Sequence, residues 1–368
     1  MSETAGRGPL GDQLSLYDHA LRLHHLNPEA PLPRDGEPYP DDEQHRRKSP
    51  SCDDPRRRGM DAAATLDAYF ARAEAGPGEL TWAFHEIDVP IHRNEHIAAA
   101  ALRADRERVQ ETGRWLVRNS PDRCSVLIGL ALLATGWADD DIELIRIIGL
   151  LTDKFSPLAA DALKRRRDGT DALLWLAQRA AGWGRVYLVE ALCTAGVRRA
   201  RSWLLRQACD GDYLNGYFAG KVATAAHLHE AITSPDADDE LIDHSGRLLG
   251  IMADCGGMGM TWEGYPPIRI VLNAYVGHLV GQTPNLDRYL AAAGIADHLA
   301  QASPDRLAMT PDHRERLVDR YLAVLRRAEW SEAAQAGFDP ANDFFAWFAR
   351  TVGYRLRLPV FRESDVDE

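Results

Sequence analysis

Amphipathic helical segments begin near Asp105, Asp139, Thr170, Val197 and Asp238, and a second set begins between them near Asp122, Ser156, Gly184, Asp212 and Pro266. A recurrence of about thirty to forty residues suits two helices and two turns per unit. One such pair is too small to bury its own apolar stripe. Stacking supplies the missing surface, because each pair covers the face its neighbour would otherwise expose to water. The rhythm is clearest over 105–282. It predicts an all-α chain built as an alpha-solenoid of stacked antiparallel helix pairs, with the two helices of each pair in different layers.

The unit beginning at Thr170 shows the pattern in detail. Leu173, Leu174, Leu176, Ala177 and Ala180 recur at helical spacing, while Asp171, Gln178 and Arg179 take the remaining arc. Gly182 and Gly184 bracket Trp183. Glycine tolerates positive φ and a close backbone neighbour, so an antiparallel helix can begin within about three residues. That helix buries Val186, Val189, Leu192 and Cys193 and ends at Gly196. One unit earlier, Leu144, Ile145, Ile147, Ile148 and Leu151 crowd a single helix, as in an element covered on more than one side.

Both ends differ from this rhythm. In 1–58, Leu14, Leu16, Tyr17, Ala20, Leu21 and Leu23 suit a short amphipathic helix, but Pro28, Pro31, Pro33, Pro38 and Pro40 follow, and no helix survives that density. The segment is expected to be extended and mobile, ending in the basic clusters His45-Arg46-Arg47-Lys48 and Arg56-Arg57-Arg58 as a solvated linker or a docking peptide. Met60 opens the first convincing helix, through Leu66, Tyr69 and Phe70, and the helical-repeat domain runs over 59–356. Residues 357–368 form an acidic tail, expected to be loose.

Composition narrows the function classes. No stretch approaches twenty uninterrupted apolar residues and no charged-then-apolar leader opens the chain, so a membrane span or export is not expected. Cys52, Cys124, Cys193, Cys209 and Cys255 are odd in number and lack C-x-x-C spacing, which fits a reducing cytoplasm. Cys124, Cys193 and Cys209 fall within helical patterns, where a small buried thiol is the simplest reading. With 43 basic against 55 acidic residues the net charge is −12, so a polyanion is repelled and nucleic-acid binding would require a segregated basic face. Lys164-Arg165-Arg166-Arg167 falls at a helix C-terminus, where the dipole favours cations. Arg198, Arg199 and Arg201 fall in a first turn, where the dipole opposes them, so an acidic neighbour is expected.

Few chemical motifs appear. His92-Arg93-Asn94-Glu95-His96 matches the inverted zinc-protease pattern H-x-x-E-H, in which His92 and His96 would share zinc and Glu95 would polarise water. Asn94, however, looks like a helix cap, which leaves His92 before the helix and off its face. Cys255-Gly256-Gly257-Met258-Gly259 lacks the spacing of a phosphate loop, and no G-x-S-x-G elbow occurs. His227, His229 and Glu230 read as a solvated helix terminus. No catalytic residue and no cofactor is assigned from these patterns.

The stretches W-G-R-V-Y-L-V-E-A-L (Trp183 to Leu192), R-S-W-L-L (Arg201 to Leu205) and L-N-G-Y (Leu214 to Tyr217) resemble a group of bacterial HEAT-like helical-repeat proteins. The likeness extends over about half the chain, and it implies an armadillo-type superhelix. Some members carry the label limonene hydroxylase. That activity requires a haem, flavin or iron centre, and the sequence presents no axial cysteine, dinucleotide loop or two-histidine-one-carboxylate set. The resemblance therefore supplies no catalytic residues.

In such a superhelix the second helix of each pair faces the concave side. Its polar and aromatic residues are then the candidate contacts: Arg185, Tyr187 and Glu190 in one unit, Asn215, Tyr217 and Lys221 in the next, Asn273 and Tyr275 in the one after. Trp262, Glu263 and Tyr265 add a loop. The sequence thus points to a non-enzymatic module that presents a concave surface to a protein or peptide, with a zinc-dependent hydrolase at His92, Glu95 and His96 and a nucleic-acid-binding repeat protein as alternatives.

Overall fold

The computed structural model describes residues 14–46 and 54–361, and these are helical with no strand among them. They fall into two compact units that divide between Ala200 and Arg201. The first contains α1 (Leu16–Leu26), α2 (Met60–Phe70), α3 (Glu95–Arg103), α4 (Arg106–Asn119), α5 (Arg123–Leu133), α6 (Ile142–Ile148), α7 (Thr152–Leu163), α8 (Gly169–Ala177) and α9 (Gly182–Ala195), and the boundary falls within α10 (Val197–Gln207). Helix α4 pairs with α5, α6 with α7 and α8 with α9. Along the chain α4, α6 and α8 touch in succession, and so do α3, α5, α7 and α9.

Aspartates and asparagines set where these helices start. The Asp105, Asp122 and Asp238 carboxylates accept from the main-chain N–H of Arg108, Ser125 and Leu241 at 2.8–2.9 Å, each satisfying a donor the helix itself cannot. Asn94 does the same for α3, accepting from His96 and Ile97. Between the caps the apolar arcs meet. Val126, Ile128, Leu130, Leu132 and Leu133 of α5 are fully buried, as are Ile145, Ile148, Leu150 and Leu151 at α6, the helix whose crowded sequence predicts cover on several sides. The tight turn into α9 uses its glycines as expected. Gly182 has φ +53°, and a Cβ on Gly184 would come within 2.2 Å of the Thr152 Cβ, so only glycine lets α9 lie this close to α7.

Arginine side chains serve several helix C-termini of the first unit. Arg166, whose side chain is fully buried, donates to the carbonyls of Ala138 (2.8 Å), Ala162 (2.6 Å) and Leu133 (3.3 Å) and to Asp141 (3.2 Å). It closes the ends of α5 and α7 together. Arg108 serves the carbonyls of Phe70, Arg72 and Ala75 after α2, and Arg185 those of Ala177 and Ala180 after α8. Each supplies donors to carbonyls at or just beyond a helix end, where the regular intrahelical pattern stops.

The second unit contains α11 (Ala219–Ala225), α12 (Leu228–Ile232), α13 (Asp239–Asp254), α14 (Ile268–Leu279), α15 (Leu286–Gln301), α16 (Pro311–Leu325), α17 (Ala328–Gly337) and α18 (Asp343–Phe348). Here α11, α13, α15 and α17 touch in succession, and so do α12, α14 and α16. Trp262, Trp330, Tyr275 and Tyr321 fill the core, with Trp262 Nε1 donating to the Leu249 carbonyl at 2.8 Å and the Tyr321 hydroxyl to that of Leu272 at 2.9 Å.

Three expectations change. The N-terminal segment is not a free strand where it is described: α1 packs on α4 and α6, Leu16 and Ala20 are fully buried, and Leu32 and Tyr39 are buried beyond it. Prolines stop the helix but do not keep its apolar residues from finding cover. Arg47, Lys48 and Cys52 lie outside the described residues. At the other end Leu358 and Phe361 are buried, the latter against Tyr289, Phe338 and Phe348, so 357–361 is anchored; 362–368 lie outside the described residues. Finally, the helix expected near Asp212 is a 3-10 turn over Tyr213–Tyr217 followed by the short α11. The Asn215 amide bonds Asp210 and the Asp212 carbonyl, and this local bonding competes with a regular helix.

Candidate functional site

The expected concave-face residues separate into buried and accessible. Arg185 is occupied by the end of α8, Asn215 by its own turn, and Tyr275 lies in the core, where burial pushes its hydroxyl pKa up. Trp262 and Tyr265 are buried as well, Tyr265 donating to the Ala223 carbonyl, with burial raising its pKa to about 12. These five are packing residues. Large aromatic area is worth most inside a core, and a buried guanidinium needs acceptors that a helix end provides. Tyr187, Glu190, Tyr217 and Asn273 are half-buried, and Lys221 and Glu263 are exposed. Tyr187 stacks on Trp183 and meets the His92 ring edge-on at 5.1 Å, while Asn273 accepts from Arg320 at 2.9 Å.

His92, Glu95 and His96 do not converge as a zinc set. His96 Nε2 is 2.9 Å from the Arg56 carbonyl, His92 faces Tyr187 from the loop before α3, and Glu95 is exposed in the first turn. The cap at Asn94 separates the two histidines in direction. The basic runs are also engaged: Arg199 pairs with Asp171 at 2.5 Å, and Arg201 donates to the Ala226 carbonyl and approaches Glu230 at 3.6 Å. The acidic partner expected for them is a neighbouring helix.

A shallow groove lies over α5, between α3 and α7. Ile97, Ala98 and Leu102 of α3, Ala131 of α5 with Ala134 just after it, and Leu158 of α7 line it, with Leu102 77% exposed. Arg93 and Arg165 stand on its rim. Neither makes an ion pair among the described residues, and Arg165 lies over the exposed Trp137 ring at 5.1 Å. In the second unit, Phe344 and Trp347 of α18 form a half-exposed aromatic pair. The run Asp343-Phe344-Phe345-Ala346-Trp347-Phe348 is dense enough in aromatics to have signalled it.

A second cluster lies deeper in the first unit. Asp122, fully buried at the cap of α5, has one carboxylate oxygen 3.0 Å from His45 Nε2 and 3.1 Å from His85 Nδ1, while the other accepts from the main-chain N–H and hydroxyl of Ser125. His45 Nε2 is also 3.2 Å from Asp41, itself fully buried and held by Arg123, which pairs with Asp42 too. The Arg123 guanidinium lies over the Tyr39 ring. Hydrogen bonds to Asp122 and Asp41 raise the His45 pKa to about 9. Burial pushes the Asp41 carboxyl up, but the bonds from His45 and Arg123 outweigh it and hold it below its ordinary range. Burial, with Asp122 beside it, drives the Cys124 thiol pKa upward.

No family model matches the chain, and neither curated proteins nor solved structures give a match.

Proposed function

We propose that the chain is a helical-repeat binding module, an alpha-solenoid of HEAT-like type, whose α3–α5–α7 groove takes a short amphipathic peptide with acidic residues flanking an apolar one. One observation carries this reading: an apolar floor that includes the exposed Leu102 is rimmed by Arg93 and Arg165, neither ion-paired among the described residues. Apolar area supplies affinity, and two guanidiniums select carboxylates. The succession α3, α5, α7, α9 supports placing the second helix of each pair on the binding side. A nucleic-acid role has less support, because Arg166, Arg199 and Arg201 are engaged with the protein itself and the chain carries −12 net charge.

The test is selection of peptides from a random library on the full chain, followed by affinity measurement with variants. Enriched peptides should carry Asp or Glu beside a bulky apolar residue, bind less tightly as salt rises, and lose at least about tenfold on Arg93→Glu, Arg165→Glu or Leu102→Asp. Peptides without acidic residues, or binding indifferent to all three variants, would overturn the assignment.

A further inference from the structure

We propose that His45, His85, Asp122 and Cys124 form a binding site for one divalent cation of the zinc class, which ties three distant stretches of the first unit together. A His45 ring nitrogen, an Asp122 carboxylate oxygen and Cys124 Sγ lie within 4.8 Å of one another. His85 Nδ1 joins them on Asp122, 3.1 Å from the oxygen that lies 3.0 Å from His45 Nε2. Ligands about 2.0–2.2 Å from a common metal are themselves separated by roughly 2.9–3.5 Å, so the two imidazole–carboxylate spacings match edges of a coordination shell, with Cys124 Sγ within 4.8 Å. Two imidazoles, a carboxylate and a thiolate are a donor set of zinc type.

Charge points the same way. Asp122 is fully buried, and among the described residues no lysine or arginine pairs with it, whereas Asp41 and Asp42 both share Arg123. A buried carboxylate requires a compensating cation. A proton shared between the imidazoles and Asp122 would supply that charge and would span the same distances. It would leave Cys124 without a task, since this thiol makes no hydrogen bond among the described residues although it points into the cluster. A metal uses His45, Asp122 and Cys124 together, with His85 reaching it from the Asp122 oxygen they share. The histidine side chains are 12% and 25% exposed, which leaves a route in from solvent. His45 belongs to the N-terminal segment, His85 to the turn before α3, and Asp122 and Cys124 to the start of α5, so the bound ion would act as a structural clasp.

The experiment uses the full chain, stripped with chelator and dialysed against zinc or cobalt, with bound metal counted per chain and the cobalt spectrum recorded. His227 and Glu230, both exposed, and the half-buried His229 also offer ligand atoms within 4.8 Å of one another, so the measurement is made in a His227→Asn/His229→Asn background. One equivalent should remain, with a thiolate-to-cobalt charge-transfer band. That band should vanish in Cys124→Ser, and zinc affinity should fall by more than about 100-fold in Cys124→Ser and in His85→Asn, beyond the loss from a mere supporting contact. Should His85→Asn fail to fold, the Cys124→Ser spectrum still decides. No metal retained, retention equal in the variants, or a cobalt spectrum without thiolate character would each refute the site and leave the shared proton as the cation. Peptide binding at the α3–α5–α7 groove is read separately and is untouched by that result.

Discussion

Replacing Arg166 with alanine tests whether arginine closes the helix ends of the first unit. The side chain is fully buried and bonds three carbonyls and Asp141. Asp141 keeps its 2.6 Å contact with Arg114, so no charge is left wholly unpaired. The three carbonyls lose their side-chain donor but keep main-chain donors from Gly136, Arg165 and Asp141, so each lost bond to the charged guanidinium costs about 1.5 kcal/mol, and the space vacated admits water to some of them. The net loss is expected at about 3–5 kcal/mol, comparable to breaking a buried ion pair. With a urea slope on the order of 2 kcal/mol/M, the midpoint of the transition assigned to this unit falls by roughly 2 M. Arg167 is the internal control: it is the next residue, 86% exposed and 4.0 Å from Asp139, and Arg167→Ala should stay within about 0.5 kcal/mol. Arg166→Lys should recover only part of the loss, since one ammonium cannot reach acceptors on three sides. A loss below about 1 kcal/mol for Arg166→Ala, or equal losses at both positions, would refute the capping role.

Leu16→Ala should cost about 2–5 kcal/mol in urea unfolding, because Leu16 is fully buried; a loosely held segment would give almost no change. Gly184→Ala should destabilise by about 1–3 kcal/mol through overlap with Thr152, while Gly250→Ala, whose Cβ meets nothing, should stabilise by about 0.5–1 kcal/mol in the exposed middle of α13; thermal midpoints moving in the same direction would contradict the packing described. Burial holds the His298 imidazole below its ordinary pKa. Above pH about 6.5 both folded and unfolded states are neutral there, and as pH falls below it the unfolded chain takes up the proton first, so the second unit loses stability on acidification. A His298→Gln variant should show a flatter midpoint against pH between 7.5 and 5, approximately, and an unchanged slope would exclude this residue as the cause.

The helix starts were legible in the sequence because Asp105, Asp122 and Asp238 announce themselves chemically as caps. The turn at Gly182 and Gly184 was legible for a similar reason, since one glycine takes positive φ and the other a close neighbour. Which polar residues face solvent was not. Arg185 on one helix and Arg165 beside another look alike in a sequence, yet one closes α8 and the other rims a groove, and only the position of the neighbouring helix end distinguishes them. The histidine–aspartate cluster was hidden more deeply. His45 reads as part of a basic run and Asp122 as a cap, and the residues that meet are 37 and 77 positions apart with no periodic signal linking them.

The docking of the N-terminal segment also has a consequence for the order of events during synthesis. Arg179 donates to the Pro28 carbonyl at 2.7 Å across 151 residues, and Arg123 grips Asp41 across 82. At roughly 5–20 residues per second, the first residues made wait about 8–30 s for the last of these partners to leave the ribosome. Until α4, α6 and α7 are made, Leu16, Leu32 and Tyr39 lack the surfaces that cover them. The earliest segment of the chain therefore settles only after much of the first unit is made, and a nascent chain halted before α4 presents those side chains to whatever holds unfolded protein in the cell.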